Sequence, residues 1–287
     1  MESFETYRPS LFSIAYRLLG SAMDAEDLVQ ETYLRYQTTP PSSIHSLKAY
    51  LTTILVRLGM DQLQLARRAR EVYVGPWLPE PILTEELGDP AHPDSRVELE
   101  ESISLAFLVL LERLQPFERA VFLLHEVFEY PFAEIAAMLG KSEVACRSSF
   151  SRAKHHLRAH RPRFTPAPDQ HRQLLASFLA AVQGGDLHRL TQLLSEEVIL
   201  WTDGGGKTKT AALRPISGRE AVVRISLKTR RFWPESMRYE IREVNGEPAL
   251  VGRADNGQAW TVLAVEVEHG QIRAIRIIAN PDKLTRI

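Results

Sequence analysis

The 287-residue chain is 44% hydrophobic and 25% charged, with a formal net charge of −1. That length points to two or three domains, the near-neutral balance excludes a uniformly basic nucleic-acid binder, and no apolar run approaches the roughly 18 residues of a membrane span. One cysteine excludes an internal disulfide and fits a reducing cytoplasm, and the N-terminus lacks the basic-then-apolar pattern of a secretion signal.

Residues 1–70 read as helices throughout. Leu11, Ile14, Ala15 and Leu18 form one apolar stripe that Gly20 ends, Ala25, Leu28, Val29, Tyr33 and Tyr36 a second, and Leu47, Leu51, Ile54, Leu55 and Leu58 a third. Residues 71–95, with five prolines and two glycines, read as a linker. Its stretch V-G-P-W-L-P-E-P-I (74–82) is too proline-rich for a helix, yet too apolar for a solvated tether, so Trp77 and Leu78 require something apolar to dock on. Residues 96–161 are helical again, punctuated by Pro116, Pro131 and Gly140. After Pro162, Pro166 and Pro168 come two helices parted by Gly184-Gly185. Alternating segments follow near 197–203, 237–244, 248–253, 258–268 and 271–278, with a helix near 217–230. Helices first and then an antiparallel sheet describe an α+β domain of about 120 residues.

Charge is segregated along this order. Residues 79–101 hold eight acids against Arg96, whereas residues 141–163 hold seven Lys or Arg against Glu143. Local charge decides whether a face attracts phosphate. Within the basic segment, F-A-E-I-A-A-M-L-G-K-S-E-V-A-C-R-S-S-F-S-R-A-K-H-H-L (132–157) has the form of a helix-turn-helix. Ser142 is placed to cap its second helix. Cys146, Phe150, Ala153 and Leu157 give that helix an inward stripe, leaving Ala145, Ser148, Ser149 and Arg152 outward, the residue types that meet base edges in a major groove. Lys154, Arg158 and Arg161 would lie nearer phosphates. On spacing alone a helical hairpin with a solvated basic face fits as well. Cys146 sits at a core position, and His155-His156 has no further ligand at metal spacing.

The order of these segments resembles a known family. L-F-S-I-A-Y-R-L-L-G-S-A-M-D-A-E-D-L-V-Q-E-T-Y-L-R-Y (11–36) is similar to region 2 of sigma-70 factors, and L-Q-P-F-E-R-A-V-F-L-L-H-E-V-F-E-Y-P-F-A-E-I-A-A-M-L-G (114–140) with the helix after it to region 4. Without an intervening region 3, this is the layout of an extracytoplasmic-function sigma factor. W-L-P-E-P (77–81), D-G-G-G-K (203–207) and N-P-D-K-L (280–284) resemble the subgroup with a fused SnoaL-like C-terminal domain.

The resemblance implies a transcription initiation factor without enzymatic activity or cofactor. Its partners would be core RNA polymerase, met at the clamp helices and flap, and the −35 and −10 elements of promoter DNA. It implies a multidomain chain: region 2 over 1–72, a linker over 73–95, region 4 over 96–163, and an α+β NTF2-like cone over 168–287. Asp24, Asp27, Gln30, Glu31 and Leu34 would grip the polymerase, and the spacing of the last four makes one stripe opposite the apolar face of their helix. Lys48, Tyr50, Arg57, Arg67 and Arg68 would meet the −10 element, with Tyr50 either stacking on a base or serving as core. At −35 the resemblance places Arg147, Ser148, Ser149, Arg152 and Lys154. The linker motif, at Trp77, Leu78, Pro79 and Glu80, would latch onto the third domain at Asp203, Lys207, Asn280, Asp282 and Lys283, with Lys207 and Asp282 pairing charges such as Glu80.

W-T-D-G-G-G-K-T (201–208) superficially resembles a phosphate-binding loop, but Trp201 stands where the first glycine is needed and Pro215 limits the following helix. The glycine triplet instead permits close approach of another segment. The resemblance also allows an apolar pocket with a small-molecule ligand in the third domain. Trp201, Phe232, Trp233 and Trp260 either line it or are core, and Asp203 is its one candidate acid or base.

Overall fold

The computed structural model describes residues 3–40, 44–87, 103–158, 167–233 and 236–287. The helical reading of 96–102, the linker beyond residue 87, and Arg161 lie outside the described residues. By internal contacts the chain forms two units. One comprises Met1–Glu71, Leu87–Ile103 and Phe107–Arg161, the other Val72–Glu86, Ser104–Ala106 and Pro162–Ile287.

The first unit is helical. Helix α1 (Phe4–Leu19) buries Leu11, Ile14, Ala15 and Leu18, and Gly20 ends it in a left-handed conformation (φ 71°) whose N–H returns to the Tyr16 carbonyl. Helix α2 (Ala22–Gln37) starts at Ser21, whose side chain accepts the Asp24 N–H at 3.2 Å. Helix α3 (Leu47–Glu71) follows with Leu51, Leu55 and Leu63 buried. After α4 (Leu105–Leu111) come α5 (Pro116–Phe122), which continues into a π-helical turn at Leu123–Val127, and α6 (Phe132–Leu139). Gly140 (φ 62°) then turns the chain into α7 (Glu143–Arg158), with Cys146, Ala153 and Leu157 inward.

A cluster of cations ties α1 and α3 to α5 and to Glu112, which follows α4. Arg119 on α5 is fully buried. Its Nε and Nη2 donate to the Arg17 carbonyl at 3.3 and 2.9 Å, and its Nη1 pairs with Glu112. Arg70 on α3 pairs with the same carboxylate and donates to the Leu19 carbonyl at 2.8 Å. Burial lowers the Arg119 and Arg70 pKa values to about 9 and that of Arg17 to about 10, and the charge of Arg119 adds to the shift at Arg70.

In the second unit, α8 (Pro168–Gly184), α9 (Leu187–Leu193) and α10 (Arg219–Thr229) accompany a six-stranded sheet. Its strands are β1 (Leu194–Asp203), β2 (Ile216–Ser217), β3 (Arg238–Val244), β4 (Glu247–Arg253), β5 (Ala259–Glu268) and β6 (Gln271–Ile278), in the order β2-β1-β6-β5-β4-β3. Leu175, Phe178, Val182, Leu190, Leu200, Val222, Leu250 and Ile275 form its core. The expected wholly antiparallel sheet needs correction, because β1 and β6 run parallel, with Leu200 opposite Ile275. The tight turn at His269-Gly270 (φ 51° and 77°) fixes β6 antiparallel to β5, and on its other edge β6 then meets β1 running the same way. The two-residue β2 has too little sequence for any periodicity to reveal it.

Candidate functional site

Linker residues 72–86 group with the second unit, and their seat is built around one carboxylate. Asp203, the last residue of β1, is wholly buried. It accepts the Tyr73 hydroxyl at 2.6 Å, the Leu78 N–H at 2.8 Å, the Gly205 N–H at 3.2 Å and the Lys283 ammonium at 2.7 Å. Lys283 also donates to the Leu78 carbonyl at 2.5 Å and lies 4.2 Å from the centre of the Trp77 ring. Asn280 donates to the Tyr73 hydroxyl at 2.9 Å. Burial, followed by the bond to Asp203, raises the Tyr73 phenol well above its ordinary value.

Leu78, Pro79, Glu80 and Ile82 are buried, whereas Trp77 is half-buried. The anchors are therefore Leu78 (2% exposed) and Ile82 (0%), with Trp77 capping Lys283. Farther along, the Ile82 N–H donates to the Asn245 side chain at 3.1 Å and its carbonyl accepts the Asn245 N–H at 2.9 Å, so the segment pairs beside the β3–β4 turn. The glycine triplet makes the close approach possible. A Cβ on Gly205 (φ 57°) would fall 2.4 Å from the Asn280 amide nitrogen, and one on Gly206 (φ 74°) 3.2 Å from Val74. Lys207 and Asp282 pair with each other at 2.5 Å, both more than half exposed, and not with Glu80. Asp203, the sequence's one candidate acid or base, divides its oxygens between the linker and the Gly205 and Lys283 groups beside it.

On α2, Asp27, Gln30, Glu31 and Leu34 are exposed and Asp24 is half-buried in the first turn. Leu34 is 56% exposed, as is Met23, which shares the stripe and which sequence reasoning missed. Glu31 pairs with Arg35 at 2.9 Å across one exposed helical turn, an interaction of little strength. An exposed leucine and methionine bracketing carboxylates suit a partner that is apolar at its centre and basic around it.

Three basic residues of α3 meet groups between Gln115 and Met138 in the same unit, and of these Arg57 reaches the helix-turn-helix. Arg57 donates to the carbonyls of Met138 (2.7 Å) and Ala137 (3.2 Å), Arg67 bonds Gln115, and Lys48 lies 5.8 Å from the centre of the Tyr130 ring. Arg68 is exposed, and the half-buried Tyr50 shares a 2.5 Å hydrogen bond with Thr39. On α7, which Ser142 caps through the Ala145 N–H, Arg147 and Ser148 are exposed. Ser149 is 1% exposed, which corrects its outward placement; three residues beyond Cys146, it falls on the inward face. Arg152 is held by Glu118 (2.9 Å), Ser148 (2.9 Å) and Ser149 (2.8 Å), and Lys154 by Glu126 (3.1 Å). Val144, three-quarters exposed on the same helix, is an apolar side chain that sequence reasoning did not single out.

The second unit also holds a cavity of about 870 Å³, its open mouth included, between the sheet and the helices α8 and α10. Trp233 and Trp260 line it; Trp201 and Phe232 do not. Trp201 lies against Arg276 on the sheet, and Phe232 is 52% exposed.

Comparison with known proteins gives a consistent result. Residues 3–69 match the family described as Sigma-70 region 2, and residues 104–157 that described as Sigma-70, region 4. The chain is 38% identical to the ECF RNA polymerase sigma factor SigJ of Mycobacterium tuberculosis (strain ATCC 25618 / H37Rv), over 99% of this chain and 93% of the relative. It is 30% identical to a probable ECF RNA polymerase sigma factor, SigI, of the same strain, over 98% and 93%. The crystal structure of Mycobacterium tuberculosis SigJ superposes with a TM-score of 0.76 at 36% identity, covering 99% of this chain and 97% of that one.

Proposed function

The chain belongs to the extracytoplasmic-function sigma factors of RNA polymerase, and from that premise we propose which surfaces meet polymerase and promoter and how the linker seat controls them. The sigma factor acts in transcription initiation, with RNA polymerase and promoter DNA as its partners. The α2 stripe of Met23, Asp27, Gln30, Glu31 and Leu34 docks on the clamp helices of the polymerase, and region 4 on its flap. Helix α7 reads the −35 element through Val144, Arg147, Ser148 and Arg152, with Lys154 on phosphate. Lys48, Tyr50, Arg57, Arg67 and Arg68 of α3 meet the −10 element.

The observation that carries this reading is the α2 stripe, where exposed apolar and acidic side chains share a face that the fold leaves open. Promoter binding requires α3 and the helix-turn-helix to part, because Lys48, Arg57 and Arg67 now face region 4. Each exchanged hydrogen bond costs on the order of 1 kcal/mol, and release of counterions from DNA offsets it. The second unit, by holding residues 72–86, sets how much slack joins region 2 to region 4 and so regulates that parting.

Run-off transcription with core polymerase tests this. Asp27→Arg should abolish both core-polymerase retention and promoter-specific transcript, because reversal turns attraction into like-charge repulsion. Full retention of that variant would return the stripe to a solvated face.

A further inference from the structure

The cavity of the second unit and the seat of the linker are two sides of one wall. Leu200 and Thr202 of β1 line the cavity, and the next residue, Asp203, faces the linker, as the two-residue alternation of a strand requires. Thr202 accepts the Ala212 N–H at 2.6 Å and donates to the Ala212 carbonyl at 3.2 Å; Ala211 and Ala212 are also in the lining. The Ala279 N–H donates to the Asp203 carbonyl at 2.8 Å, and its carbonyl accepts the Thr208 hydroxyl at 2.8 Å. Ala279 lines the cavity, and Asn280 after it touches Tyr73 of the linker. Three chain segments, 202–203, 208–212 and 279–280, thus form one hydrogen-bonded partition.

The chemistry of the lining narrows what fits. Phe178, Trp233, Tyr239 and Trp260 supply aromatic surface, aliphatic side chains supply most of the rest, and no charged side chain is among the described lining residues. An ion would lose its hydration there without a compensating partner. Of the buried side-chain polar atoms that make no hydrogen bond among the described residues, one belongs to a lining residue. The Tyr239 hydroxyl is buried and makes no hydrogen bond among the described residues, and burial raises its pKa, so it remains a donor. Thr202, Thr229 and Thr261, by contrast, are bonded to backbone.

We propose that this cavity binds a neutral, ring-bearing molecule whose carbonyl oxygen accepts the Tyr239 hydroxyl, and that its occupancy tightens the linker seat across the shared wall. The proposal rests on the regulatory reading of the linker and gives it an input. A ligand packed against Thr202, Ala212 and Ala279 restricts the wall that carries Asp203 and Asn280, and the linker then docks on a seat already ordered. Such coupling is reciprocal, so a loosened linker weakens the ligand by the same factor.

The test uses the full chain and two neutral naphthalene probes, 6-propionyl-2-dimethylaminonaphthalene and the ketone-free 2-dimethylaminonaphthalene. The ketone should bind saturably with a blue-shifted emission. Tyr239→Phe, which keeps the ring, should weaken the ketone about tenfold and the ketone-free probe less than twofold. Saturating ketone should slow hydrogen exchange of the Leu78 amide at least threefold, and Leu78→Ala, outside the cavity, should weaken the ketone at least threefold. Absence of saturable binding, or equal losses for both probes in Tyr239→Phe, would overturn the site. Tight binding with Leu78 exchange unchanged would overturn the coupling. Neither assay contains polymerase, so their failure leaves the transcription result to be judged separately.

Discussion

Each unit joins distant segments through a carboxylate, and the two carboxylates are treated differently. Asp203 is wholly buried and meets three uncharged donors and one cation, Lys283, so its charge is neutralised once and its lone pairs are filled. Glu112 is partly exposed and serves two arginines, Arg70 and Arg119, with the Arg17 carbonyl taking the remaining donors of Arg119. The first arrangement is a balanced lock. The second divides one carboxylate between two guanidiniums, with the negative charge of Asp24 adding to it near Arg70.

The sharpest way to break the comparison is at Asp203. Asp203→Asn leaves the Lys283 ammonium buried without its counter-charge and should cost the second unit about 4 kcal/mol, read by urea denaturation of the full chain. Next, Leu78→Ala should cost about 3 kcal/mol and Trp77→Ala only about 1 kcal/mol, since Leu78 is buried and Trp77 half-buried; equal losses would restore Trp77 as the main anchor. Glu112→Gln should cost about 2 kcal/mol, less than Asp203→Asn because its site is wetter, and should widen the separation of α3 from α5 measured by paired spin labels.

Alkaline titration should loosen the linker seat by a smaller amount. Tyr73 has a raised value, so its contribution is complete below about pH 10 and is lost as pH rises above it. Hydrogen exchange corrected for its intrinsic pH dependence should show the Leu78 amide loosening. The smallest effect belongs to Lys207→Ala, which breaks an exposed pair and should change stability by less than about 0.5 kcal/mol.

Much of this was legible in the sequence, and the reasons for the misses are physical. The stripes of α1, α2 and α3 and the inward face of α7 follow from helical period alone. That same period places Ser149 inward beside Cys146, a placement overlooked because serine is polar. In the linker, the sequence shows that apolar side chains need a surface, but not whether Trp77 or Leu78 points down, because adjacent residues of an extended segment face opposite ways. The parallel pairing of β1 with β6 and the bond from Lys283 to Asp203 join residues about eighty apart, where local pattern carries no information. The outward basic residues of α3 were identified by type, whereas their engagement with the Met138 and Ala137 carbonyls depends on tertiary packing.

The linker seat also has a consequence in time. Residues 72–86 leave the ribosome early, yet the groups that complete their seat, Asn280 and Lys283, are made nearly two hundred residues later. At roughly 5–20 residues per second, that is a delay of about ten to forty seconds. For that interval each nascent chain already holds its helical segments while the seat of residues 72–86 still lacks Asn280 and Lys283.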